Sequence, residues 1–343
     1  MEAELMASIN QSVCAYNNQE RRRCASNRKA SCNLGARERK IVCVTSANSH
    51  LSSLIVKELL GHGYLVRVTL QHHVDFEEMK LLISQEEMNQ LENVMVAKMG
   101  DVEALCEAFR GCHAIFHTSS FIDPHGLSGY SERMAFLETE ASKNVIEACA
   151  RTAYVKRCIF TSSLLASVWN DSDSTDVVID EACWSDEDFC YENKLWLALG
   201  KTRAEKTAWI KAKELKVKLV TICPGFLMPP SSPATHPATS IPYLKGSSAM
   251  LHKGLLAVDD IEKLAKAHVC VYEEMDYGAS GRYLSFEKVI RGSYEAGQLE
   301  DKLKVHGLVL RKGVEGDSET ESRLSNERLT QLVARAHSRS CRQ

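Results

Sequence analysis

Apolar positions follow two rhythms along residues 39–335. Short continuous runs at Ile41–Thr45, Tyr64–Leu70, Val94–Ala97, Ala114–Thr118, Cys158–Thr161 and Val217–Ile222 have the length and β-branched content of strands buried on both faces. Between them lie longer stretches with helical periodicity: Leu51–Leu60, Phe76–Met88, Val102–Arg110, Met134–Ala150 and Leu195–Leu215. In the fourth of these Phe136, Val145, Ile146 and Ala148 form the apolar stripe, and Met134 and Phe136 read as core. Strands that alternate with helices predict an α/β fold built on a doubly wound parallel sheet.

The rhythm breaks twice. A polar loop carries Asp171, Asp173 and Asp176, and after Met228 four prolines (Pro229, Pro230, Pro233, Pro237) fall within nine residues. The run Gly254–Asp260, a helix to about Glu273 and a strand over Gly281–Phe286 then read as a smaller C-terminal substrate lobe that closes over the carboxyl edge of the sheet. Residues 313–323 are polar and acidic and read as a linker. Ser325 or Asn326 can cap a last helix from Glu327 to about Ala336. The expected organisation is a polar, disordered extension over 1–38, a nucleotide-binding-type domain over 39–227, the lobe and final helix over 228–336, and a tail over 337–343.

Composition narrows the partners. The net charge of −3 over 343 residues gives no support for nucleic acid or an anionic membrane as partner. No apolar run reaches the roughly 18–20 residues of a membrane span. The 13 cysteines are scattered without a C-x-x-C pair, and Cys43, Cys149, Cys158 and Cys223 sit in apolar runs. Buried reduced thiols in a cytoplasmic protein are the expectation, and no metal site. His72-His73 does not change this, because adjacent side chains on a strand diverge. Arg21-Arg22-Arg23 in a Ser- and Asn-rich segment leaves a plastid transit peptide as the alternative, against which Glu2, Glu4, Glu20 and Glu38 count.

The chemistry-bearing stretch is the turn after the first strand, Thr45-Ser46-Ala47-Asn48-Ser49-His50-Leu51-Ser52-Ser53. In a dinucleotide-binding βαβ unit this turn is glycine-rich, so that it can be tight, let N–H groups reach the pyrophosphate, and let the helix pack on the strand. The three glycine positions read Ser46, Ser49 and Ser52. The hydroxyls of Ser46 and Ser49 could bond a phosphate instead, so binding is expected to be weakened without being excluded. His50 could contact phosphate, or be an exposed loop histidine. At the end of the second strand an acid suits NAD and an arginine suits the 2′-phosphate of NADP. Gln71 supplies neither charge, and Asp75 would serve only if its loop folded back, which is not expected.

Several motifs carry a resemblance: Lys143-Asn144-Val145-Ile146-Glu147-Ala148-Cys149, Phe160-Thr161-Ser162-Ser163, Asp180-Glu181-Ala182-Cys183-Trp184-Ser185-Asp186, Gly200 to Trp209 (Gly-Lys-Thr-Arg-Ala-Glu-Lys-Thr-Ala-Trp), Pro224-Gly225 and Gly281-Arg282-Tyr283. Over about residues 39–335 the chain resembles the extended short-chain dehydrogenase/reductase superfamily, and within it the plant cinnamoyl-CoA reductase and dihydroflavonol reductase group. It is most similar to a divergent cinnamoyl-CoA-reductase-like branch with Lys194-Leu195-Trp196 ahead of the lysine. The resemblance implies a Rossmann-type sheet, NADP(H) as cofactor and a small phenolic or CoA-ester ligand. It also implies hydride transfer in which a tyrosine donates the proton, a lysine lowers that tyrosine's pKa and holds the ribose, and a serine orients the carbonyl.

Carried over by position, the serine is Ser163 and the lysine Lys201, but the tyrosine position holds Leu197. No tyrosine stands four residues before any lysine. The implied cofactor contacts are Thr45, Ser46, Ser49, His50, Leu51, Gln71, Asp101 and Val102 beside the adenine, Thr118 and Ser119 after the fourth strand, Lys201, and Pro224, Gly225, Phe226 and Leu227 on the nicotinamide side. Lys201 can equally be a helix lysine kept by ancestry, and Ser163 can simply bond backbone. Two readings stay open. One is a family member with lost or strongly reduced hydride transfer, binding a phenolic ligand, a nucleotide or a protein partner. The other is an active NADPH-dependent oxidoreductase with an altered donor, such as water held by Ser163. The three serines, Gln71 and Leu197 all fall on cofactor and catalysis, which favours the first.

Overall fold

β1 (Ile41–Val44), β2 (Leu65–Leu70), β3 (Asn93–Val96), β4 (Ala114–His117), β5 (Arg157–Thr161), β6 (Lys218–Pro224) and β9 (Gly281–Ser285) form a seven-stranded sheet in the order β3-β2-β1-β4-β5-β6-β9. The computed structural model describes residues 40–118, 130–170, 178–228, 243–304 and 323–340. The expectations for the extension 1–38, Ser119, the aspartate loop at 171–176, the proline-rich loop and residues 313–322 lie outside these. The pairs β1–β2, β1–β4, β2–β3 and β6–β9 are parallel. The strand order reverses between β1 and β4, so the connections leave to opposite sides and open a crevice past the carboxyl ends of these two strands.

Helices alternate with the strands: α1 (His50–Gly61), α2 (Asp75–Leu82), α3 (Gln85–Met88), α4 (Val102–Phe109), α5 (Glu132–Arg151), α6 (Glu187–Glu192) and α7 (Trp196–Leu215). The chain divides into two compact units, Met1–Ser119 with Asn144–Ile159 and Leu215–Lys218, and Ser120–Lys143 with Phe160–Glu214 and Leu219–Gln343. The first is built as its sequence predicts. Val42, Val44, Val66, Val68, Ile115 and Phe116 are fully buried, with Ile55, Val56 and Leu59 of α1. The single helix expected over Phe76–Met88 is two. Ile83 adopts extended backbone, and Ser84 starts α3 through a reciprocal capping box with Glu87.

In the second unit, α8 (Ser247–His252), α9 (Ile261–Glu274), α10 (Gly292–Lys304) and α11 (Glu327–Ser340) follow β6, and β7 (Phe226–Leu227), β8 (Ala257–Asp259) and β10 (Lys288–Val289) make a small sheet in the order β10-β8-β7. The strand Gly281–Ser285, expected in the C-terminal lobe, instead pairs with β6 in the central sheet. Phe136, expected in the core, is 63% exposed. The helical period turns Ala135, Glu138, Ala141 and Ser142 inward in its place, so the buried stripe of α5 carries a carboxylate.

Candidate functional site

The turn after β1 is held by its own side chains. Thr45 N–H bonds Phe116 O at 3.0 Å, and Thr45 Oγ1 meets His117 Nδ1 at 3.1 Å. Thr118 donates its N–H to Thr45 Oγ1 at 3.2 Å and its hydroxyl to Thr45 O at 2.6 Å, which ties the ends of β1 and β4 together. Ser46 takes a left-handed backbone at φ 49°, where glycine is favoured. Ser49 is the N-cap of α1. Its hydroxyl accepts Ser52 N–H at 3.2 Å, while Ser52 Oγ accepts Ser49 N–H at 3.1 Å and donates to Ser46 O at 3.0 Å. The serines at the three glycine positions therefore bond one another. His50 is the first residue of α1, half-buried, rather than a loop residue, and Leu51 packs inward.

The loop after β2 does fold back. The Asp75 carboxylate accepts Gln71 N–H at 3.0 Å and His72 N–H at 2.9 Å through one oxygen, Oδ2. Asp75 is buried, and burial lifts its carboxyl above the usual range. The strand end expected to carry only Gln71 thus presents an acid. One turn on, Glu78 Oε2 accepts Asn48 Nδ2 from the serine turn at 2.9 Å. Asp101 caps α4 by accepting Ala104 N–H at 3.0 Å, with Val102 opening the helix.

In the second unit Lys201 sits on α7 and pairs with Glu138 Oε1 of α5. Tyr130 OH donates to Glu138 Oε2. All three residues are buried, at 9%, 5% and 8% exposure. Gly200 makes this approach possible, because a Cβ there would lie 2.9 Å from Ala135 Cα and 3.0 Å from Tyr130 OH. Burial, and then the charge of Glu138, lift the Tyr130 phenol far above its usual range, which makes it a poor acid. Leu197 packs against the apolar cluster of Leu164, Leu165, Leu199 and Phe226. Ser163 caps the 3₁₀ turn Leu164–Ala166 by accepting Leu165 N–H at 3.2 Å, which leaves its hydroxyl hydrogen to donate. Nothing in the sequence flagged Glu138 or Tyr130. The one available signal was a carboxylate in the inward stripe of a helix, which requires a partner.

Pro224 ends β6, and Gly225 N–H bonds Ser285 O at 2.8 Å. A Cβ on Gly225 would lie 2.9 Å from Ala257 O, so glycine permits β7 to lie against β8. Phe226 is buried against Tyr243 at 5.3 Å between ring centres, and Leu227 is half-buried. No group of three or more His, Cys, Asp or Glu able to hold a metal occurs among the described residues, and no helix there is long and apolar enough to cross a membrane.

A dinucleotide needs N–H donors at the start of α1 for its pyrophosphate, and NADP needs a cation at the end of β2. In the first unit the Ser49 and Ser52 N–H groups are spent on serine hydroxyls, and the end of β2 carries Asp75. The residues present do not fit NADP(H).

Residues 43–223 match the 3-beta hydroxysteroid dehydrogenase/isomerase family. The chain is 37% identical over 256 residues to cinnamoyl-CoA reductase 1 of Petunia hybrida, covering 73% of this chain and 74% of the relative. It is 38% identical over 255 residues to cinnamoyl-CoA reductase 1 of Arabidopsis thaliana, covering 72% and 70%. Among solved structures, alfalfa vestitone reductase superposes with a TM-score of 0.61 at 23% identity, covering 85% of this chain and 91% of that one. A yeast methylglyoxal/isovaleraldehyde reductase complexed with NADPH gives 0.66 at 17%, covering 86% and 93%. At these identities the two structures speak for the fold.

Proposed function

The chain belongs to the 3-beta hydroxysteroid dehydrogenase/isomerase family of extended short-chain dehydrogenases/reductases and is a homologue of the cinnamoyl-CoA reductases, and from that premise we propose that it is a cinnamoyl-CoA-reductase-like protein with lost or strongly reduced hydride transfer. Kinship implies NADP(H) and a phenolic or CoA-ester ligand. The reading rests on one observation, the engagement of Lys201 by buried Glu138 on a helix whose proton-donor position is Leu197. A lysine paired in this way is held to α5, and leucine has no proton to give. Loss of a positioned acid costs roughly 10²–10⁴ in rate.

The test is turnover of feruloyl-CoA and of a dihydroflavonol with NADPH, run beside an authentic cinnamoyl-CoA reductase. The expected rate is at least about 100-fold below that reference. A rate within tenfold of it would overturn the reading. It would favour the active alternative, for which the free hydroxyl hydrogen of Ser163 offers a hold for water.

A further inference from the structure

We infer that the serine turn and the first turn of α2 exclude the phosphates of a dinucleotide, and that the selectivity left in the first unit favours a cofactor without the 2′-phosphate. This goes beyond loss of hydride transfer, because it concerns binding in the first unit and not proton donation in the second.

Three features carry it. First, two of the N–H groups at the start of α1 are engaged within the turn itself. A helix N-terminus attracts anions because its first N–H groups lack intrahelical partners. In this chain the Ser49–Ser52 capping box supplies partners to two of those groups, Ser49 N–H and Ser52 N–H. A phosphate would have to displace bonds already made within the turn, and the Ser49 and Ser52 side chains fill space that glycine leaves open. Second, Glu78 reaches the same turn through its bond to Asn48, so a carboxylate stands at the cradle. Third, Asp75 places a buried carboxylate at the end of β2. A carboxylate there accepts from a ribose hydroxyl and repels a 2′-phosphate.

The experiment is a fluorescence titration with NADH and with NADPH at pH 8, on the full chain and on three variants. The wild-type protein is expected to show no saturable nicotinamide enhancement with NADPH up to millimolar concentration. Ser46→Gly/Ser49→Gly/Ser52→Gly restores the open cradle and is expected to bind NADH at least tenfold more tightly than wild type, with NADPH at least tenfold weaker than NADH. Adding Asp75→Asn, which keeps an acceptor oxygen but removes the charge, is expected to bring NADPH within threefold of NADH. Glu78→Gln alone, which keeps an acceptor oxygen for Asn48 and leaves the three serines in place, tests the charge and is expected to raise NADPH affinity.

Circular dichroism melts establish that each variant is folded. If the triple variant does not fold, Ser49→Gly alone takes its place. Micromolar NADPH binding by wild type would overturn the inference. So would a folded glycine variant that gains no NADH affinity, or one that prefers NADPH.

Discussion

Lys201 and Glu138 place two opposite charges where each is at least nine-tenths buried. Neither is tolerable alone, because a buried charge left without its partner costs about 3–5 kcal/mol. Lys201→Met and Glu138→Leu are therefore each expected to lower unfolding stability by roughly that amount. The double variant should cost well under the sum of the two, a coupling that urea denaturation of the four proteins measures. A Lys201→Met loss below about 0.5 kcal/mol would show the lysine to be a solvated surface group. The three serines could be read from the sequence because glycine positions are local. The Glu138 pair could not, because its partners come from another helix and from Tyr130, and sequence spacing does not say which helices meet. Asp75 is a different case. Its carboxylate turns back to the N–H groups of Gln71 and His72, a local bond that competes with simple continuation of the loop.

At the scale of elements, β8 and α9 each carry a titratable group whose proton affinity is shifted by burial. Asp259 on β8 is buried, and its Oδ2 has no hydrogen-bond partner among the described residues. Burial pushes its pKa up to about 6. His268 on α9 is fully buried, bonded to Thr161 Oγ1 and Leu264 O at 2.8 Å each, and burial pushes its pKa down to about 4. The folded state holds the Asp259 proton more tightly than the unfolded chain does. Its stabilisation is complete below the unfolded value near 3.8 and is lost as pH rises through about 6. His268 works the other way. Its stabilisation is complete above about 6.5 and is lost as pH falls through about 4.

Each shift corresponds to roughly 3 kcal/mol, so between about pH 4 and 6 the two slopes nearly cancel. Asp259→Asn is expected to leave a stability that rises by about 2 kcal/mol, relative to wild type, from pH 4 to 6, because part of each shift is expressed outside that window. His268→Gln should leave one that falls by a similar amount. Urea midpoints at pH 4, 5 and 6 measure both, and parallel curves for wild type and variants would refute the assignment. The strands of the first unit and the long helices α5 and α7 were legible to within a few residues because their rhythms are strong, whereas α6, α8 and α10 had no counterpart in the sequence reading. The misplaced ones had weak signals, since a run over Gly281–Phe286 reads the same in a lobe as in the main sheet.

For the molecule as a whole, four of the six motifs that carry the family likeness meet at one buried pair, Glu205 and Arg282. Arg282 gives Nε to Glu205 Oε1 at 2.8 Å and Nη2 to Glu205 Oε2 at 3.2 Å. It gives Nη1 to Glu181 O at 3.0 Å and Cys183 O at 2.6 Å, and Nη2 also to Ser167 Oγ at 2.9 Å. Ser162 and Thr221 donate to the same carboxylate at 2.7 and 2.6 Å, and Trp184 stacks under the guanidinium at 3.7 Å. The stretches Asp180–Asp186, Gly200–Trp209, Phe160–Ser163 and Gly281–Tyr283 thus identify the family because they hold its fold together. That is why the fold was legible in the sequence when the chemistry was not.

Lysine offers three donors from a point charge where Arg282 supplies a planar fork to five acceptor atoms and a ring. Arg282→Lys should therefore destabilise by at least about 3 kcal/mol, close to the loss from Arg282→Met, because it strands Glu205 and two carbonyls in the interior. Leu197→Tyr, on a half-buried position at the margin of the apolar cluster, should cost less than half as much. Denaturant midpoints for the three variants decide it. If Arg282→Lys lost no more than Leu197→Tyr, the shared motifs would have to be kept for something other than the fold.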